Sequence, residues 1–427
     1  MKILLVFYDL IIILCIPFYL LHLLIKSRFS WQVLKRFGNL GYDTLFKIKD
    51  KDVIWIHAVS LGEVATCKTM VKHLSQKYHD KIILLTTITN TGMKLARSIS
   101  KDNVISLYVP FDLSFIVNRF INLIKPDLLI LMETELWPNL LYYAEKHKIS
   151  TYVFNARLSD RSFGKYKLFS WFIKNISKPI KKFCVQSELD KERFLELGID
   201  SNKIVTTGNM KYDAIEELAV KTEKEITDLR QKLLLSNSDF LIVCGSTHDR
   251  EEEYILKAYA ELKNQFSGLR LLIAPRHLER LPLIEDLIQS MNLKAERISH
   301  QKIISKDSIL LLDTIGQLML VYSLANLVIV GGSLVPVGGH NILEPAFFEK
   351  PIMVGPYMHN FRDMTQLFLS KDALIQISDH SELKSKISDL MHDRNALIGF
   401  GKSAKLVLNS KQGATFTNLN IIEEDIL

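Results

Sequence analysis

Five junctions between an apolar run and a helical stretch carry the side chains that could do chemistry. In HAVSLGEV the chain turns from strand to helix at Gly62 and leaves Glu63 at the helix start. A carboxylate there either complements the helix dipole or acts as a general base toward an acceptor hydroxyl. ETELWPN sets Glu133 and Glu135 at a second strand end. That acid-x-acid spacing can hold Mg²⁺ beside a diphosphate or serve as helix-start charge. GSTHDREEE puts small and hydroxyl residues where a third strand stops, and APRHLER presents Arg276 and His277 at a fourth. A guanidinium fork suits phosphate or carboxylate. In GGSLVPVGGHNILEP two glycine pairs precede Asn341, which is expected to open a helix, and Glu344. Glycines permit close approach of backbone to ligand, and a helix start offers N–H groups to a phosphate. Glu344 is either the far half of a capping box or an acceptor for two ribose hydroxyls.

Other chemistries lack their signatures. There is no G-x-x-x-x-G-K-[ST], no G-x-G-x-x-G after a strand and no H-E-x-x-H. P-loop, dinucleotide and zincin readings are therefore disfavoured. His57, His248, His277 and His340 lie at strand ends but far apart in sequence, so only folding could join them into a metal site, and none is expected. The four cysteines are scattered without C-x-x-C spacing and read as reduced residues.

These junctions need elements to position them. The 427 residues are 48% hydrophobic and 24% charged, a globular composition long enough for two or three domains. VIWIHAV, IILLTT, VISLYVP, DLLILME, TYVFNA and KFCVQS read as strands, mostly followed by helical stretches. FLIVCGS, LRLLIAP, SILLLD, LVIVGGS and PIMVG restart the pattern. Buried apolar strands with helical crossovers predict α/β architecture, two doubly wound parallel sheets facing across a cleft. The expected boundaries are 26–213 for the first domain, 214–239 for a charged helical linker and 240–427 for the second. The last helix is allowed to pack back on the first domain.

Residues 1–25 depart from globular composition. Ile3 to Ile25 is apolar apart from Asp9 and His22, and Lys26, Arg28, Lys35 and Arg36 follow. A membrane anchor is expected, either spanning with the rest of the chain on the cytoplasmic side or lying in the interface. Net charge is +7, and Arg157 to Lys182 contributes two Arg and six Lys against Asp160 alone, interleaved with aromatics. Arg157, Arg161, Lys165, Lys167, Lys174 and Lys178 are read as meeting an anionic inner-membrane surface, not nucleic acid. An ordinary solvated helix is the other reading.

The ordered set HAVSLGEV, TTITNTG, YVPFDL, ETELWPN, FNARLSDRS, GNMKYD, GSTHDREE, APRHLER and GGSLVPVGGHNILEP resembles the 3-deoxy-D-manno-octulosonic acid (Kdo) transferases of lipopolysaccharide assembly. The resemblance runs from His57 to Pro356. It implies a GT-B glycosyltransferase of two Rossmann-like domains that moves Kdo from CMP-Kdo to a lipid A precursor. The implied reaction is inverting, uses no cofactor or metal, and occurs at the cytoplasmic face of the inner membrane. By the same resemblance Glu63 is the catalytic base. Ser246, Arg276, His277, Gly338, Gly339, Asn341 and Glu344 hold the donor, while Glu133 and Lys211 line the cleft near sugar or acceptor. The chain departs from the family pattern at Val337, where a basic residue is common, at Ile342 in place of Pro, and at His359 in place of Phe. Two alternatives stay open: a transferase using a nucleoside-diphosphate sugar with Mg²⁺ at Glu133 and Glu135, and a non-catalytic clamp for an anionic sugar.

Overall fold

The computed structural model describes residues 2–25, 31–101, 103–218, 222–300 and 304–426. Lys26, Arg28 and part of the expected linker lie outside them, as does the side chain of Arg161. Contacts divide the chain into two units, Met1–Ala214 with Gln412–Leu427, and Ile215–Lys411.

The first unit is built on seven strands: β1 (Val53–His57), β2 (Ile82–Thr87), β3 (Val104–Tyr108), β4 (Leu128–Met132), β5 (Ser150–Ala156), β6 (Ile180–Val185) and β7 (Ile204–Thr206). They pair in the order β3-β2-β1-β4-β5-β6-β7, all parallel. Side chains alternate across the sheet, so each central strand feeds two cores. Val53, Trp55, Leu129 and Leu131 pack into one, Ile54, Ile56, Ile130 and Met132 into the other. Helices cover both faces, and the chain's last helix, Ala414–Ile426, closes the second core with Leu419 and Ile422. Its start is fixed by Asp213, whose carboxylate accepts from the Gly413 and Thr415 N–H groups, each at 2.6 Å.

The second unit repeats the plan with β8 (Phe240–Thr247), β9 (Leu269–Pro275), β10 (Ala295–Arg297), β11 (Ile309–Leu311), β12 (Leu327–Val330), β13 (Ile352–Val354) and β14 (Ile375–Gln376). The order is β10-β11-β9-β8-β12-β13-β14, again parallel. Both sheets are Rossmann-like.

The expected membrane-spanning segment needs correction. Residues Lys2–Ile25 do form a helix, but among the described residues no helix is long and apolar enough to cross a membrane. One side of it is committed to the first unit. Asp9 accepts from Ser114 N at 3.1 Å and from Asn139 Nδ2 at 2.8 Å, and also from the Ser114 hydroxyl. Ile12 and Ile16 pack on a small core of Phe111, Leu113 and Ile116. A carboxylate tied into the domain, with Leu5, Ile12 and Ile16 on the same stripe, docks this apolar helix on the first unit. Its other side exposes Ile3, Phe7, Leu10, Ile11, Leu14 and Phe18.

Candidate active site

In the first unit the chemistry gathers at the carboxyl ends of β1 and β4. Ser60 caps helix Leu61–Lys77 and accepts from Glu63 N at 3.4 Å. Glu63 folds back, accepting from Val59 N and from the Ser60 hydroxyl, both at 2.8 Å. The side chain is 7% exposed. Burial, then the charge of Glu133, pushes its carboxyl up to about 7, against the two hydrogen bonds that favour the anion. The residue is thus both a cap and a perturbed carboxylate, and the two readings are compatible.

Glu133 sits in left-handed backbone (φ 55°) just past β4, uncommon for a side chain of this type. Its N–H donates to Phe154 O at 2.9 Å, and Lys211 Nζ lies 3.6 Å from its carboxylate. Glu135 accepts from Trp137 Nε1 at 2.8 Å, and burial raises its carboxyl as well. The Trp137 ring stands edge-on against His57, centroids 4.9 Å apart. His57 is fully buried with Nδ1 3.0 Å from Thr86 Oγ1, and desolvation holds it down to about 3, so it stays neutral. Folding therefore joins Glu63, Glu133, Glu135 and Lys211 into one group, with Glu135 bonded to the Trp137 that packs on neutral His57.

The second unit assembles its group around the glycine-rich turn after β12. The turn is closed from within: Gly338 N and Gly339 N both donate to Gly332 O, at 3.1 and 2.7 Å. Those two N–H groups are therefore engaged within the turn itself. Both glycines have positive φ, and a Cβ on either would overlap Asn360 or Met358. Asn341 does not open a helix either. The helix is the five-residue Leu343–Phe347 with Ile342 at its cap, because Asn341 Oδ1 accepts from Leu343 N in a local turn. Nor is there a capping box, since Glu344 accepts from Asn341 Nδ2 at 3.3 Å instead of reaching a backbone N–H. Burial pushes the half-buried Glu344 up to about 7, while Asn341 and then Arg276 act the other way.

Arg276 and His277 stand exposed at the end of β9. Ser246 occupies a bulge between β8 and β9 with φ 58°. Two features come from the fold: the meeting of strand-end histidines that the sequence leaves far apart, and a buried carboxylate that the sequence does not mark. His248 and His340 meet with Nε2 atoms 2.8 Å apart and ring planes within 7° of parallel, and His277 stands edge-on to His248 at 5.8 Å. Desolvation and the neighbouring cations lower both His248 and His340, the latter to about 4, so one neutral ring donates to the other. Among the described residues no group of three or more His, Cys, Asp or Glu has the arrangement to hold a metal ion. The second feature is Glu251, fully buried, whose carboxylate accepts from Gly332 N (2.7 Å), Leu334 N (2.8 Å) and His248 N (2.8 Å). It pins the glycine turn to the end of β8. A Glu in the sequence GSTHDREEE signals helix-start charge, and only the fold shows that it reaches a turn some eighty residues on.

Of the residues assigned to a lipid surface, Lys165, Lys167, Lys174 and Lys178 are exposed and Arg157 is partly so. Phe163, Tyr166 and Phe172 pack on the core, whereas Leu168, Phe169 and Trp171 are 81%, 65% and 66% exposed.

A family model described as 3-Deoxy-D-manno-octulosonic-acid transferase (kdotransferase) matches residues 32–214. A 3-deoxy-D-manno-octulosonic acid transferase of Haemophilus influenzae is 32% identical over 425 residues, covering 98% of this chain and 97% of that one. The chain belongs to the Kdo transferase family. It is a glycosyltransferase of lipopolysaccharide biosynthesis. A bifunctional glycosyltransferase/methyltransferase of Fusobacterium nucleatum is 36% identical over 375 residues, 86% of this chain and only 57% of that longer protein. Among solved structures, a glycosyltransferase from Rickettsia africae aligns with a TM-score of 0.58 at 13% identity, covering 88% of this chain and 99% of that one. That likeness shows the fold, paired Rossmann-like units of the kind found in glycosyltransferases.

Proposed function

We propose that this Kdo transferase uses CMP-Kdo as donor and the lipid A precursor lipid IV(A) as acceptor, with inversion at the anomeric carbon and without a metal ion. The observation that carries the reading is Glu63, a buried carboxylate oriented by Val59 and Ser60 and raised to about 7. A base of that strength is suited to neutral pH. Glu63 takes the proton of the acceptor hydroxyl as its oxygen attacks the anomeric carbon. The bond from that carbon to the phosphate oxygen breaks, and CMP leaves with the electron pair. Lys211 beside Glu133 offers a cation to the sugar or acceptor.

Donor recognition is assigned to Ser246, Arg276, His277, Asn341 and Glu344, with Gly338 and Gly339 letting the turn before Asn341 close against Asn360 and Met358. One phosphate departs, so a guanidinium can meet the charge that a diphosphate leaving group would place on a metal. Glu133 and Glu135 already have Lys211 and Trp137 as partners, which favours the metal-free reading over Mg²⁺ at that pair. Each Kdo added presents new hydroxyls, so several can follow in succession.

Attachment to the inner membrane follows from two surfaces of the first unit: the exposed apolar side of helix Lys2–Ile25 and the lysine-rich segment with Leu168, Phe169 and Trp171. The helix lies in the interface on the cytoplasmic side instead of crossing it. The test of the reading is CMP release from CMP-Kdo by the full chain in EDTA, with and without lipid IV(A). Acceptor-dependent release inhibited by CMP and not by UDP is expected. Release that requires Mg²⁺, or inhibition by UDP alone, would return the assignment to a nucleoside-diphosphate sugar.

A further inference from the structure

One residue of the segment FNARLSDRS lies against the first unit's site and has no part in the chemistry above. Asn155 is fully buried near the end of β5. Its backbone is left-handed (φ 56°), a region that Asn tolerates better than most residues with a side chain. The pairing of β5 with β6 shifts there: Val153 pairs with Phe183 and Ala156 with Val185, so β5 carries one extra residue. Such a bulge bends the strand and re-aims a side chain, and bulges recur next to active sites.

The side chain is bonded to the start of helix Lys211–Leu218. Asn155 Oδ1 accepts from Met210 N at 2.9 Å, a buried N–H ahead of the helix that no helical carbonyl can take. The bulge itself is held by Gln186, whose Nε2 donates to Asn155 O at 2.9 Å and whose N–H donates to Ala156 O at 3.0 Å. One position earlier, Phe154 O accepts from Glu133 N at 2.9 Å. Two consecutive residues of β5 therefore hold both partners of the Glu133–Lys211 pair, Phe154 the backbone of Glu133 and Asn155 the peptide just before Lys211. The pair's own contact, 3.6 Å between partly exposed side chains, is too weak to fix that geometry. Lys211 N donates to Asn209 Oδ1 at 2.9 Å, a bond inside its own loop that sets no distance to Glu133. Asn155 Nδ2 has no partner among the described residues, so the oxygen is the part of the amide that the fold uses.

We propose that Asn155 is a positioning residue for the transfer reaction: its side-chain oxygen, bonded to Met210 N, sets Lys211 at its place beside Glu133. Its effect on turnover rests on the transfer reading above, whereas its hold on Lys211 does not.

The test reads both effects. The lysines of the full chain are reductively ¹³C-methylated, and the Lys211 NMR signal is identified by its loss in Lys211→Ala. In wild type that signal should shift as Glu133 titrates, and Glu133→Gln should remove the shift. Asn155→Gly keeps the left-handed backbone but has no acceptor, so its Lys211 signal should lose the Glu133-dependent shift. Asn155→Asp keeps an acceptor whether ionised or not, and its signal should retain the shift. With unmodified protein, CMP-Kdo and lipid IV(A), Asn155→Gly should lower kcat by about 10–100-fold, as for misplacement of a cleft residue. Added to Lys211→Ala, the same change should cost less than about threefold more, because the residue it positions is already gone. A merely structural role would multiply the two losses. A retained shift in Asn155→Gly, a lost shift in Asn155→Asp, or multiplied losses in the double variant would each overturn the positioning role. The Asp variant decides alone if the Gly variant does not fold. The predicted signals without lipid product from wild type would sink the transfer reading and leave the hold on Lys211 supported.

Discussion

Replacing Glu63 by Gln should make the protein more stable above neutral pH and at the same time nearly inactive. The carboxyl is raised from the usual 4.5 to about 7, chiefly by burial. A raised folded value means that the protonated form is the one the fold prefers. Its contribution is fully present below pH 4.5 and is lost as pH rises through 7. The displacement corresponds to about 3 kcal/mol across that window. Gln is neutral throughout and can keep the contacts to Val59 and Ser60, so the variant should escape most of this loss. For a unit of this size about 3 kcal/mol is up to roughly 10 °C in melting temperature. The assay is thermal unfolding of wild type and Glu63→Gln at pH 5 and pH 8, alongside CMP release. The variant should gain on wild type only at pH 8, and turnover should fall by about 10²–10⁴-fold, as for loss of a general base. Parallel pH slopes for the two proteins would refute the perturbed carboxylate. Retained turnover would refute the base.

Four further outcomes follow from particular residues. Glu251→Ala removes the acceptor of three buried N–H groups. It should destabilise the second unit by about 3–5 kcal/mol and weaken CMP binding, checked by denaturant unfolding and calorimetry. Gly245→Ala would push a methyl into the Tyr322 hydroxyl and should cost about 1–3 kcal/mol, partly restored by Tyr322→Phe in a double-mutant cycle of unfolding free energies. Phe7→Glu with Phe18→Glu should release the protein from anionic vesicles in a sedimentation assay. Lys165→Glu with Lys174→Glu should weaken binding by about 1 kcal/mol per lysine and steepen less with salt than wild type.

The central strands were legible because each is an apolar run buried on both faces, long enough to stand out between turns. β1, β4 and β12 lie where VIWIH, LLILM and LVIV stand. The edge strands β7, β10 and β14 were not legible: IVT, AER and IQ are broken by polar residues, whereas the equally short ILL of β11 and IMV of β13 are wholly apolar. Hydropathy marked the N-terminal helix but weighed its composition alone. Asp9 counted as one polar residue in an apolar run, whereas its bonds to Ser114 and Asn139 dock the helix on the domain. Local spacing placed Glu63, Glu133 and Arg276 at strand ends. It could not give the burial of Glu63, nor the charge that Glu133 brings to it from another strand end, nor the meeting of His248 with His340. Asn341 misled because Asn is both a good helix cap and a good turn former, and here the turn wins.

The most direct test of the account is the mass of lipid IV(A) after incubation with CMP-Kdo and the full-length protein in EDTA, with Glu63→Gln in parallel. The account predicts that wild type adds one or more Kdo units to the lipid and that the variant adds none at matched times. Unmodified lipid with wild type in the presence of intact CMP-Kdo, or equal product from the variant, would contradict it.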